Sequence, residues 1–192
     1  MKFFTALFIL FFTASIAAKT GIYLNIETGW SNQPNLPSAS EANSYKTEVE
    51  HAPIVRFGVG YMHNFNPIFG IGFEIGRGFY NKTTYYFNDG DVFGARSRLL
   101  EFLAVFTVTL NKFDLYAKIG GNRHTITTEK YADIQPEIIA GAAYNFTNHF
   151  AFVLDYLHSF EQRDDRDEIL SRSDFLAPNL NAALAGIRIT FF

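Results

Sequence analysis

Short segments of the chain alternate bulky apolar residues with small or polar ones. Ile22, Leu24 and Ile26 interleave with Tyr23, Asn25 and Glu27, and Phe69, Ile71, Phe73 and Ile75 interleave with Gly70, Gly72, Glu74 and Gly76. A period of two marks a β-strand, whose successive side chains point to opposite faces. The apolar face is large and aromatic, while the other carries glycines and single charges. A soluble sheet would turn its polar side to water. This pattern instead fits a barrel wall with lipid outside and a polar lumen inside.

Eight segments follow the rule: about 21–30, 53–62, 68–80, 98–110, one starting at Phe113, then 134–146, 150–160 and about 178 to the C-terminus. Their connections alternate in length. His63-Asn64-Phe65-Asn66-Pro67, Asn111-Lys112 and Thr147-Asn148-His149 are short and rich in turn formers. Between them lie polar stretches of about 31–50, 81–97, 122–133 and 161–177. The expected fold is therefore all-β: an eight-stranded antiparallel transmembrane β-barrel, an up-and-down meander with tight turns at one end and long loops at the other. An even strand number places both termini on the turn side. A soluble lipocalin-like barrel would need apolar residues inward and polar ones outward, the reverse of what is seen.

Composition supports an exported membrane protein. Met1-Lys2 is followed by an apolar run from Phe3 to Phe12, broken only by Thr5, and by Ala14-Ser15-Ile16-Ala17-Ala18. This reads as a signal peptide, residues 1–17, with cleavage after Ala18 as the near alternative; the run is too short to span a bilayer. The barrel domain is then 18–192. There is no cysteine, hence no disulfide and no thiol chemistry. The formal net charge of -3 becomes -4 once Lys2 is lost, and no basic patch argues for nucleic acid. Mean hydropathy is near neutral, as expected when every second residue points inward.

The inward parity carries one central charge per strand: Glu27, Arg56, Glu74, Glu101, Lys118, Glu137, Asp155 and Arg188. In strand order each cation has an acid on both sides. Arg56 lies between Glu27 and Glu74, Lys118 between Glu101 and Glu137, and Arg188 between Asp155 and, by closure, Glu27. A charge on the lipid face costs roughly 2–4 kcal/mol at mid-membrane. A charge in a narrow lumen is tolerated only when paired. A packed ionic network is therefore expected, with Glu74, Lys118 and Asp155 interior and with Arg56, Glu101 and Glu137 near the loop ends and solvated. Gly58, Gly60, Gly70, Gly72, Gly76 and Gly78 share the inward parity. They fit either a local cavity or strand curvature with room for neighbours such as Tyr23; the second is preferred, since closing a small barrel demands bends.

The chain ends Ala185-Gly186-Ile187-Arg188-Ile189-Thr190-Phe191-Phe192. A terminal aromatic after alternating apolar residues resembles the assembly signal of Gram-negative outer-membrane proteins, with Phe191 on the expected parity and Phe192 one residue beyond. In this register Leu180 and Leu184 need a bulge to reach lipid. With eight strands and a signal peptide, the chain resembles the small outer-membrane barrel family that includes the transmembrane domain of OmpA, OmpX and opacity-type surface proteins. The resemblance implies localisation in the bacterial outer membrane with periplasmic termini. It also implies periplasmic chaperones, insertion by the outer-membrane assembly machinery, contact with outer-membrane lipid and lipopolysaccharide, and a monomer whose loops meet a host or surface ligand.

Catalysis is not expected. PagL-like and PagP-like lipid A enzymes use a His and a Ser, and His158-Ser159 with Glu161 sits at the outer end of the seventh segment, though not in the His-x-Ser spacing of the deacylases. Adjacent strand residues point to opposite faces, so these two cannot readily pair. Asp164, Asp165, Asp167 and Glu168 alternate with Arg163, Arg166 and Arg172 in a loop that lacks EF-hand spacing and reads as self-paired, its arginines available to phosphorylated lipopolysaccharide. Tyr85-Tyr86-Phe87 reads as a sticky contact or an aromatic belt, and Asn88-Asp89-Gly90-Asp91 as a hairpin turn. Asn81-Lys82-Thr83 and Asn145-Phe146-Thr147 match glycosylation sequons by chance. No cofactor, metal or catalytic residue is assigned. The expected role is structural, in envelope integrity, or interactive, adhesin-like through four loops. A narrow cation-favouring channel is the alternative, and a lipid A-modifying enzyme the third reading.

Overall fold

A computed structural model of the chain describes residues 20–32, 45–46, 52–81, 83–87, 92–126, 131–160 and 179–191. The leader, the charged run 163–172, Glu161, Asn88–Asp91 and Phe192 lie outside them. Eleven strands are present: β1 (Gly21–Asn32), β2 (Tyr45–Lys46), β3 (Ala52–Asn64), β4 (Phe69–Tyr80), β5 (Thr83–Phe87), β6 (Val92–Ala95), β7 (Ser97–Leu110), β8 (Phe113–Ile126), β9 (Tyr131–Asn145), β10 (Phe150–Ser159) and β11 (Leu180–Phe191). Eight of them close a barrel in the order β1-β11-β10-β9-β8-β7-β4-β3, every pair antiparallel. The remaining three, β2-β5-β6, form a small sheet that joins the connection after β1 to the one after β4. Sequence reading offered a strand extension at Tyr85-Tyr86-Phe87 as one alternative, but did not expect a separate sheet there.

The alternation of the sequence becomes the alternation of the wall. Along β3 as far as His63 and along β7 as far as Thr107, buried and exposed residues alternate without a break. Outward stand Ile22, Ile26, Trp30, Phe57, Phe73, Phe102, Leu115, Ile138, Phe152, Leu154 and Ile187, each large, apolar and more than a third exposed. The turns are chemically specified. Asn111 takes φ 58°, the left-handed region that asparagine tolerates, and closes the two-residue turn between β7 and β8. The Asn66 carboxamide oxygen accepts from the backbone N–H of Ile68 and Phe69, both at 2.8 Å. The Thr147 hydroxyl oxygen accepts from His149 and Phe150. Such side-chain caps hold turns that lack ladder partners.

The hydrogen-bond register sets the barrel's tilt. A rung leaving β1 at Ile22 passes through Tyr61, Phe73, Ala104, Ile119, Ile138, His158 and Asn181 and returns to β1 at Asn32, ten residues further on. A stagger of ten residues at ~3.3 Å over eight strands ~4.8 Å apart tilts the strands by about 40°. The same numbers give a barrel radius of about 8 Å, which side chains alone can fill. Each strand-to-strand step along a rung climbs the wall by about one and a quarter residues.

The ladder between β1 and β11 runs without interruption from Ile22↔Phe191 to Asn32↔Asn181. No bulge turns Leu180 and Leu184 to the outside, contrary to the sequence expectation; both are buried in the lumen on the parity of Arg188. They join Ile54, Leu99, Leu103, Ile139 and Leu157 in an apolar cluster. A lumen that contains such a cluster accepts leucines inward, so the ladder need not be broken to expel them. Phe191 stands outward and half exposed at the turn end.

Candidate functional site

All eight of the central charges lie inside the barrel, each no more than 6% exposed, and Asp114, nearer the turn end of β8, is buried with them. Arg56 is the hub. Its Nη1 donates to Glu27 Oε2 at 2.9 Å, its Nη2 to Glu74 Oε1 at 2.5 Å, and its Nε to Glu101 Oε2 at 2.7 Å. One guanidinium thus serves three carboxylates from β1, β4 and β7, using the fixed fork that makes arginine suited to such sites. Arg56, Glu101 and Glu137 are fully buried, not solvated near the loop ends as the sequence order suggested. Inward side chains from the surrounding strands cover them. Among these, Ile54 and Tyr80 lie beside Arg56 on β3 and toward the loop end of β4.

Lys118 does not pair with Glu101 and Glu137. Its Nζ donates to Glu74 Oε1 and Asp155 Oδ2, both at 3.1 Å. Strand tilt explains the difference. On the ladder Lys118 faces Val105 and Ile139, while Glu101 faces Asn122 and Glu137 faces Gly120, both nearer the loop end. Two strands away on either side, the climb of about two and a half residues brings Glu74 and Asp155 level with Lys118. Asp155 also accepts from the Tyr116 hydroxyl, and Glu74 from Asn25 Nδ2 at 2.9 Å.

Arg188 likewise departs from expectation. It makes no ion pair with Asp155 or Glu27. Its Nε donates to Asn25 Oδ1 at 3.1 Å, and its guanidinium lies between the rings of Tyr23 and Tyr116, 4.9 and 4.6 Å from their centroids. Two aromatic faces replace carboxylates as the electrostatic partner of a buried cation. Toward the loop end a neutral relay continues the column. Asn122 Nδ2 donates to Glu137 Oε2 at 2.6 Å and to Ser159 Oγ at 2.8 Å, Ser159 donates to Gln135 Oε1 at 3.0 Å, and His124 Nδ1 lies 3.2 Å from that same oxygen. Sequence reading did not assign Asn25, Asn122, Gln135 or Tyr116 to the network, and it noted Tyr23 and Ser159 without making them partners of the charges. Their inward parity was the available signal, passed over because only formal charges were followed.

Several of these glycines make room for the network, while Gly70 lines a cleft near the turn end with Phe69, Thr107 and Tyr116. A side chain on Gly60 would strike the Tyr23 ring, and one on Gly76 would strike Glu101 and Arg56. At Gly72 the obstacle is the backbone of Tyr61, where β3 and β4 approach closely. His158 and Ser159 point to opposite faces. His158 Nδ1 contacts Asn181 Oδ1 at 2.7 Å on the outward side, and Ser159 is buried inward. Among the described residues no group of three or more His, Asp or Glu could hold a metal ion.

The comparisons with known proteins agree with this architecture. A family model described as "Outer membrane protein beta-barrel domain" matches residues 4–181. The chain belongs to that family. The outer membrane is therefore where this barrel works, and its apolar outer wall faces lipid. Among solved structures, neisserial surface protein A is similar, at 14% identity over 89% of this chain and 97% of that one, TM-score 0.53. The Ail attachment invasion locus protein of Yersinia pestis is 14% identical over 90% and 99%, TM-score 0.43. OprG of Pseudomonas aeruginosa is 14% identical over 91% and 97%, TM-score 0.45. At 14% identity the likeness to neisserial surface protein A speaks to the fold alone. No curated protein sequence matches the chain.

Proposed function

We propose that the chain is a non-catalytic outer-membrane barrel that acts as a rigid, sealed platform, holding surface loops in place for envelope integrity or contact with a ligand. The observation that carries this reading is the filled lumen. Arg56 and Lys118 are held by Glu27, Glu74, Glu101 and Asp155 through the middle of the barrel, the Arg188–tyrosine stack occupies the turn end, and leucines and isoleucines pack toward the loop end. A side chain that already has its partner offers nothing to a permeating ion, and opening a path would break buried pairs. The small sheet β2-β5-β6 supports the platform reading, because it ties two long connections to each other.

On this reading the leader is cleaved, both termini are periplasmic, and Phe191 and Phe192 are read by the assembly machinery. The second reading, a cation-favouring channel, draws on the excess of interior acids over bases: Asp114 is buried beside Glu27, Glu74, Glu101, Glu137 and Asp155, against Arg56, Lys118 and Arg188. The test is planar-bilayer conductance of the refolded protein, beside a lipid A mass spectrum from cells expressing it. The platform reading expects neither stepwise current nor altered lipid A. Stable cation-selective openings would establish the channel, and a shortened or extended acyl set would establish an enzyme.

A further inference from the structure

Apart from histidines, the charged side chains on the outward face of the described barrel strands are all arginines, and they occupy three adjacent strands: Arg77 on β4, Arg98 on β7 and Arg123 on β8. Arg96, also exposed, immediately precedes β7. The register arranges them closely. Leu100 pairs with Arg77 on one side and with Arg123 on the other, so those two stand two strand spacings, about 10 Å, apart. Arg98 pairs with Phe79 and Thr125. It is therefore diagonal to both other arginines, about 7–8 Å from each. The result is a triangle of guanidiniums above Leu100, small enough for three long side chains to meet on one group.

Among the described residues this triangle has no counter-ion. All three arginines are exposed, and among the described residues none has a carboxylate within 4 Å. The contact recorded for the set is between Arg77 and the Phe79 ring, 5.3 Å from its centroid and nearer the loop end, so its stem lies along the wall with the charge carried outward. The setting is equally specific. The triangle sits near the loop ends of its strands, and Leu100 and Phe102 stand exposed toward the membrane interior. Arginine is costly on a lipid face at the bilayer centre and nearly free at the interface. Three like charges gathered at one spot of an otherwise uncharged wall are suited to receive an anion at that depth.

We propose that Arg77, Arg98 and Arg123 form a docking site for a phosphate of a phosphorylated glycolipid in the outer leaflet, with Leu100 and Phe102 meeting its acyl chains. Guanidinium groups bind phosphate oxygens in bidentate fashion, which makes arginine a fitting residue for the task. The site rests on the outer-membrane reading of the wall but not on whether the barrel conducts. It is separate from the interior network, so removing it leaves the fold intact.

The test uses the full refolded protein in phosphatidylcholine nanodiscs, titrated with fluorescent diphosphoryl lipid A. The wild type is expected to bind at least tenfold more tightly than the triple variant Arg77→Gln, Arg98→Gln, Arg123→Gln, and to lose most of the difference when the lipid is dephosphorylated. The triple Lys variant should keep part of the affinity, and raised salt should weaken binding by the wild type and the Lys variant but leave the residual binding of the Gln variant unchanged. Heat-modifiable gel mobility checks that each variant has folded; should the triple variant fail, Arg98→Gln alone is expected to lose several-fold. Equal binding by wild type and folded Gln variant overturns the proposal, as does indifference to the phosphates. If inorganic phosphate alone protects the barrel from heat as well as the lipid does, the triangle is a free-anion site and the lipid assignment falls. Conductance of the same preparation reports separately on the sealed-platform reading.

Discussion

Lys118→Met probes the interior most directly, because the structure names the groups that would suffer. Lys118 is fully buried and holds two carboxylates at 3.1 Å. The two acids are not equally dependent on it. Glu74 keeps Arg56 Nη2 and Asn25 Nδ2 after the substitution. Asp155 keeps only the neutral Tyr116 hydroxyl. Removing one partner of a buried pair costs about 3–5 kcal/mol, most of it the penalty of the stranded charge. The variant should therefore unfold at distinctly lower urea concentration than wild type, followed by tryptophan fluorescence in lipid vesicles. Trp30, the single tryptophan, lies on the outer wall, away from the mutated site. Adding Asp155→Asn should recover more than half of the loss, since the stranded charge is gone. Adding Glu74→Gln should recover little, because that carboxylate remains neutralised by Arg56. Adding Glu101→Gln and Glu137→Gln should recover nothing, since neither acid touches Lys118. Unfolding of Lys118→Met at the wild-type urea midpoint would refute the packed-interior argument. Rescue by the Glu101 and Glu137 substitutions in place of Asp155→Asn would refute the tilt argument that assigns the partners.

Further outcomes follow from the same geometry. Gly60→Ala should destabilise the barrel by about 1–3 kcal/mol, the usual cost of overpacking, and Tyr23→Leu in the same chain should restore part of it; equilibrium urea unfolding measures both. Circular dichroism in detergent should show strand with little helix, and the folded protein should migrate differently before and after boiling. Deleting Phe191 and Phe192 should leave the protein in periplasmic aggregates while refolding into detergent survives, which fractionation and gel mobility together would show.

The wall was legible in the sequence because its cause is local. Lipid demands an apolar residue at every outward position, and a strand turns outward every second residue, so Phe57, Val59 and Tyr61 announce their face without reference to any other strand. Turn chemistry at Asn66, Asn111 and Thr147 is local in the same sense, and strand count and the parity of the interior charges followed from it. Which charge meets which could not be read this way. Parity tells that Lys118 and Glu101 both face the lumen, but their relative height depends on the stagger of the closed barrel. That stagger is a sum over eight registers, none of them visible in a single strand. The tilt of about 40° it imposes carries neighbours in strand order past one another and sets Lys118 beside Glu74 and Asp155. The same sum decided that Arg188 rests between two tyrosine rings, that Leu180 and Leu184 fill the lumen without a bulge, and that three arginines from β4, β7 and β8 gather around Leu100 on the outer wall.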